Sequence, residues 1–119
     1  MPSKAIASKQ EYAVGDAPVR LTVAVGDRQY GSSMVFLDDE LLSNGDIEEL
    51  PLGHGSALGD RTLTVYTVVT DVRDRKNEMS VSWILTGGPK ALNVEKSGSA
   101  SKSFGSRMFK AVFDLTRAK

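Results

Sequence analysis

Cysteine is absent from the 119 residues of this chain. That excludes disulfides, thiolate chemistry and any zinc site built on cysteine. The absence fits a reducing compartment. Long apolar runs are missing too. No stretch comes near the roughly 20 apolar residues that a membrane-spanning helix needs. The opening Met-Pro-Ser-Lys-Ala-Ile-Ala-Ser-Lys has no apolar segment long enough for a signal-peptide core. A cytoplasmic protein without a membrane partner is therefore expected. Net charge is also lacking, with 15 basic and 15 acidic side chains. Nucleic-acid binders usually carry a basic balance and clustered stacking aromatics, so no nucleic-acid partner is expected. There is no internal repeat, and no segment shows a convincing helical period.

What is present is an ordinary globular composition, 40% hydrophobic and 25% charged. The length suits one domain spanning residues 1–119. A chain of this size buries roughly two thirds of the surface it exposes when unfolded.

The strongest pattern is a pair of runs, Thr62–Val72 and Met79–Thr86. In the second, Met79, Val81, Trp83 and Leu85 alternate with Ser80, Ser82 and Thr86; only Ile84 interrupts the polar side. That is the period of a half-buried strand. The first run is apolar on both parities, with Leu63 and Val65 on one and Tyr66, Val68 and Val72 on the other. It reads as a central strand covered on both faces. The two are expected to be neighbours, joined by a charged hairpin tip at residues 73–78. Trp83 is expected to anchor the core, because large aromatics dominate burial in small proteins.

Other segments follow the same logic. Ile6, Tyr12 and Val14 mark a short edge strand or ordered arm within residues 3–14. Val19, Leu21, Val23 and Val25 alternate with Arg20 and Thr22, which predicts a strand with one solvated face. Met34-Val35-Phe36-Leu37 suits a strand buried on both sides or a short helix starting after Ser33 and ending at Leu42; length favours the strand, which is the expectation. Asn44-Gly45-Asp46 is a strong turn signal. Residues 38–60 are irregular yet contain Leu41, Leu42, Ile47, Leu50, Leu52 and Leu58. A structureless loop of that length is unusual, so a hidden strand is expected near residues 47–52. Residues 91–95 suit one more short strand, and residues 97–105 read as a mobile loop. Phe109, Ala111, Phe113 and Leu115 alternate with Lys110, Val112, Asp114 and Thr116 in a last strand docked on the core.

About six to eight strands with regular turn signals predict an all-β fold, an antiparallel β-sandwich, with a small β-barrel as the alternative. The strand order, the mid-strand tryptophan and the missing cysteine pair resemble immunoglobulin-like or related sandwiches at the level of architecture alone.

Charge is unevenly divided along the chain. Residues 1–60 hold four basic and ten acidic side chains; residues 61–119 hold eleven and five. If the halves interleave in one sheet system, the charges pair across strands. Otherwise they make a dipolar surface that steers a charged partner or a second copy of the chain.

No set of residues forms a convincing catalytic or metal-binding motif. Gly53-His54-Gly55-Ser56-Ala57-Leu58-Gly59 is glycine-rich but lacks the Lys-Ser/Thr pair of a nucleotide loop. His54 is the only histidine; base catalysis would require it to meet Ser56 and an acid among Asp46, Glu48, Glu49 and Asp60. The acids Asp38, Asp39, Glu40, Asp46, Glu48 and Glu49 could supply oxygen to calcium, though no Asp-x-Asp-x-Asp series occurs. Arg73, Arg75 and Lys76 could contact phosphate, but also serve simply to keep a hairpin tip wet.

The reading is a non-enzymatic binding or assembly module that recognises a protein partner or a second copy of itself. It is expected to act through loops 38–60 and 73–77, with Asp46, Glu48, Glu49, His54, Arg73, Arg75 and Lys76 as contact residues. No catalytic residue, metal or cofactor is expected. The alternatives are a calcium-dependent ligand binder and a small hydrolase or lyase using His54.

Overall fold

The computed structural model describes residues 6–26, 29–71, 78–99 and 106–117. Among them are the strands β1 (Ile6–Val14), β2 (Pro18–Val25), β3 (Gln29–Leu37), β4 (Glu40–Gly45) and β5 (Leu50–His54). One turn of helix, α1 (Gly55–Leu58), follows. Then come β6 (Thr62–Asp71), β7 (Glu78–Thr86), β8 (Leu92–Ser99) and β9 (Ser106–Arg117). One sheet has five strands in the order β1-β9-β6-β3-β4; the other has four, β5-β2-β7-β8. The sheets stack as a β-sandwich, and no barrel closes. Every pairing is antiparallel except β1 beside β9, which is parallel.

The interior follows the alternation in the sequence. Met79, Val81, Trp83 and Leu85 of β7 are buried, as are Phe109, Ala111, Phe113 and Leu115 of β9. Val35 and Leu37 of β3 and Leu63, Val65 and Val69 of β6 complete the facing layer. Burying one such side chain contributes about 1.5–3 kcal/mol. The interior also holds one polar bridge. Trp83 Nε1–H donates to Thr67 Oγ1 at 3.1 Å, and the Thr67 and Ser33 hydroxyls share a 2.8 Å hydrogen bond. All three side chains are buried, so the indole N–H and both hydroxyls find partners away from water.

Two expectations need correction. First, β6 and β7 are not paired neighbours. They lie in different sheets and oppose each other across the interior, where Trp83 meets Thr67. Alternation specifies which side chains are buried, not which strand lies alongside, and both runs satisfy it in this arrangement. Second, β3 and β6 are not covered on both faces. Their outward residues Met34 and Val68 stand exposed.

The stretch 38–60 does hide strands, and this raises the count among the described residues to nine. β4 pairs with β3, and β5 pairs with β2. Gly45, at φ +101°, ends β4. The end of β7 is set by Gly87, at φ +101°, where a Cβ would collide with the Pro18 carbonyl. Next to it the Gly88 N–H donates to the Tyr12 hydroxyl at 3.0 Å, tying the β7–β8 turn to β1.

Candidate interaction surface

The outward side of the five-stranded sheet is where the apolar residues of the second parity collect. The register sets them in rows. Ser32 lies beside Val68, and Val68 beside Met108. Met34 lies beside Tyr66, and Tyr66 beside Lys110. Leu41, Phe36, Thr64 and Val112 form a third row, with Lys9 of β1 next to Val112. Tyr30, Leu41, Met34, Met108 and Val68 are 71, 47, 45, 43 and 38% exposed. Isolated exposed apolar residues are common, but a contiguous set of them on one face marks a contact site.

Two hollows share a wall on this face. One of about 340 Å³ is bounded by Ser32, Met34, Phe36, Tyr66, Val68 and Met108. The other, about 290 Å³, is bounded by Phe36, Asp38, Asp39, Thr64 and Tyr66. The wall is Phe36 against Tyr66, edge to face, with centroids 6.0 Å apart at 87°. Lys110 Nζ stands 5.4 Å from the Tyr66 ring centroid, within the range of a cation–π contact.

The rim of the second hollow is fixed by the tight β3–β4 connection. Asp38 takes φ 52°, which aspartate tolerates better than most residues. Its carboxylate accepts the Thr62 N–H at 3.0 Å and Arg61 Nε–H at 2.8 Å. Its own N–H donates to the Thr62 carbonyl at 2.7 Å. The Thr62 N–H first, then the Arg61 guanidinium, hold the Asp38 carboxyl below the ordinary aspartate range. Asp39 and Glu40 beside it are exposed.

The opposite outer face, on the four-stranded sheet, is built differently. Arg20, Thr22 and Ala24 of β2, Ser80, Ser82, Ile84 and Thr86 of β7, and Asn93, Glu95 and Ser97 of β8 point outward. Ile84 is the one large aliphatic among them and is half-buried. Ser82 Oγ–H donates to Glu95 Oε2 at 3.3 Å.

The described residues among those expected to form contacts are spread along the edge formed by β2 and β5. Glu48 and Glu49 are exposed along β2, and the Glu49 N–H donates to Thr22 Oγ1 at 2.9 Å. His54 closes β5 beside Pro18, with Nδ1 3.4 Å from the Asp16 carbonyl. Five residues separate it from Glu49, about 16 Å along an extended chain. Asp46 reaches a small hollow of about 150 Å³ between Val23, Val25, Tyr30 and Ile47. Among the described residues no three histidine or carboxylate side chains gather to hold a metal ion. Arg73, Arg75 and Lys76, with the rest of the 73–77 tip, lie outside the described residues.

A larger hollow, about 660 Å³, opens between β1 and the β7–β8 turn, with Glu11, Lys90 and Arg117 among its borders. Arg117 Nη2–H donates to the Ser56 carbonyl at 3.3 Å. Among the described residues no helix is long and apolar enough to cross a membrane.

The outward residues of β3 and β6 are apolar positions that the sequence pattern assigns to the core, and their signal is the double parity itself; the outward side of β9 reads as the alternate face of its strand, without Met108. Comparison with known proteins found no matching family model, curated protein or solved structure.

Proposed function

We propose that this chain is a non-enzymatic binding or assembly module. Its contact surface is the outer face of the five-stranded sheet, with the acidic turn at residues 38–40 on the rim. One observation carries this reading: one outer face of the sandwich holds a contiguous strip of apolar and aromatic side chains, and the other is lined mainly by serine, threonine and charged residues. The composition suits protein recognition, where aromatic and methionine side chains are enriched. Methionine adapts its shape to a partner, and a tyrosine offers both a ring and a hydroxyl. The partner is a protein. Of the segments first expected to bind, the start of 38–60 borders this face, whereas Glu48, Glu49 and His54 lie along the other sheet's edge.

The test is site-specific photo-crosslinking. A photoreactive amino acid replaces Val68 in one variant and Ser82 in another, and each is irradiated in a lysate of the source cells. Protein adducts from position 68 and none from position 82 are expected. Equal labelling at both positions, or none at position 68, removes the reading.

A further inference from the structure

We infer that the occupant of this face is a second copy of the same chain, seated face to face about a two-fold axis running along β6. The inference rests on the proposed contact surface and adds the identity of the partner.

Three observations point to it. The first is position. β6 is the middle strand of the five, with β9 and β1 on one side and β3 and β4 on the other. An axis along β6 lays β3 of one copy over β9 of the other and β4 over β1, and brings Tyr66 and Val68 close to their own copies. Such an interface is isologous and closes at two subunits. It repeats outside the molecule the aligned sheet-on-sheet packing already present inside it.

The second is area. Five strands at about 4.8 Å spacing and about 30 Å length give a face of roughly 700 Å². A stable interface buries about 800 Å² per partner, so this face with its rim suffices.

The third is charge. The chain as a whole carries no net charge, so two copies do not repel at long range. Lys9 on β1 stands level with Leu41 on β4, through Val112, Thr64 and Phe36. Asp39, in the turn between β3 and β4, borders the outer hollow on this face, and Lys9 Nζ lies 3.8 Å from Asp114 Oδ2 of its own chain. Rotation about β6 brings Asp39 of one copy toward the Lys9 end of that pair in the other.

The absence of cysteine makes the test clean. The intact chain is followed by light scattering across a dilution series, and a dimer that dissociates on dilution is expected. Val68→Lys brings two ammonium groups together at the axis and raises the dissociation constant at least about 30-fold, the loss of one interface hot spot. Ser82→Lys on the opposite face leaves it unchanged. Asp39→Lys weakens the dimer, and Lys9→Glu added to it restores the affinity. A single cysteine in place of Val68 is joined across the axis by a short bismaleimide, and one in place of Ser82 is not; this arm stands if Val68→Lys fails to fold. A dimer indifferent to Val68→Lys and unlinked at position 68 overturns the inference. So does a monomer at every concentration. In that case heterologous adducts from position 68 in the photo-crosslinking experiment leave the binding reading standing, and their absence removes it as well.

Discussion

The two outer faces of this sandwich come from strands with the same inward alternation, yet they meet different surroundings. On the four-stranded sheet the outward positions of β7 are Ser80, Ser82, Ile84 and Thr86, chemistry that suits water. On the five-stranded sheet the outward positions of β3 and β6 include Met34, Phe36, Tyr66 and Val68 beside Ser32 and Thr64, chemistry that suits another surface. Both sheets supply fully buried inner residues, Val81, Trp83 and Leu85 in one and Val65, Phe109 and Phe113 in the other, and the apolar outer residues lie outside that interior. The difference teaches that the two parities of a strand answer to separate demands. One parity is fixed by the interior, and the other by whatever the sheet meets outside.

The largest expected effect tests whether the two faces share one interior. Trp83→Ala removes the side chain that links the sheets and should cost about 3–5 kcal/mol in a urea melt. A loss below about 1 kcal/mol would mean that the faces belong to independent layers, and the comparison would fail. A smaller loss sharpens the account of the bridge. Thr67→Val keeps the shape but strips the buried Trp83 N–H and the Ser33 hydroxyl of their partner. It should cost about 1–3 kcal/mol while leaving the outer faces and their association untouched.

The smallest effect concerns the rim. The Asp38 carboxyl is held below its ordinary value of 3.8 by Thr62 and Arg61. A depressed folded value means that the charged form stabilises the fold. That contribution is fully present above pH 3.8 and fades as the pH falls through the folded value. Asp38→Asn should therefore lower Tm slightly at neutral pH, and the gap from the parent should close on acidification. A gap that widens in acid would reverse the assignment.

Much of the fold was legible in the sequence. The parities of β2, β7 and β9, the buried Trp83 and the strands hidden in 38–60 all follow from alternation and from leucines that need cover. What stayed illegible was relational. Nothing local to Thr62–Val72 or Met79–Thr86 distinguishes a strand beside β6 from a strand opposite it. The contact surface was half visible. Met34, Phe36, Tyr66 and Val68 were apparent as apolar residues, but one sequence does not reveal whether an apolar outward face is covered by the same chain or by another. The acids and His54 drew notice because carboxylates and imidazole carry chemistry. Their separation along β5 and the preceding connection became apparent only once β5 was seen to run extended beside β2.

The parallel pairing of β1 with β9 bears on synthesis. Ile6 lies opposite Phe109 and Val14 opposite Arg117, so an early strand waits for partners made just over a hundred residues later. At roughly 5–20 residues per second that wait lasts several seconds on the ribosome. During it β6 lacks one neighbour and β1 lacks its only one, leaving two adhesive edges on the nascent chain. Joining ends so far apart also makes for slow folding. Shielding by a chaperone, or quick capture of the late strand, would matter more for this topology than for a meander of consecutive hairpins.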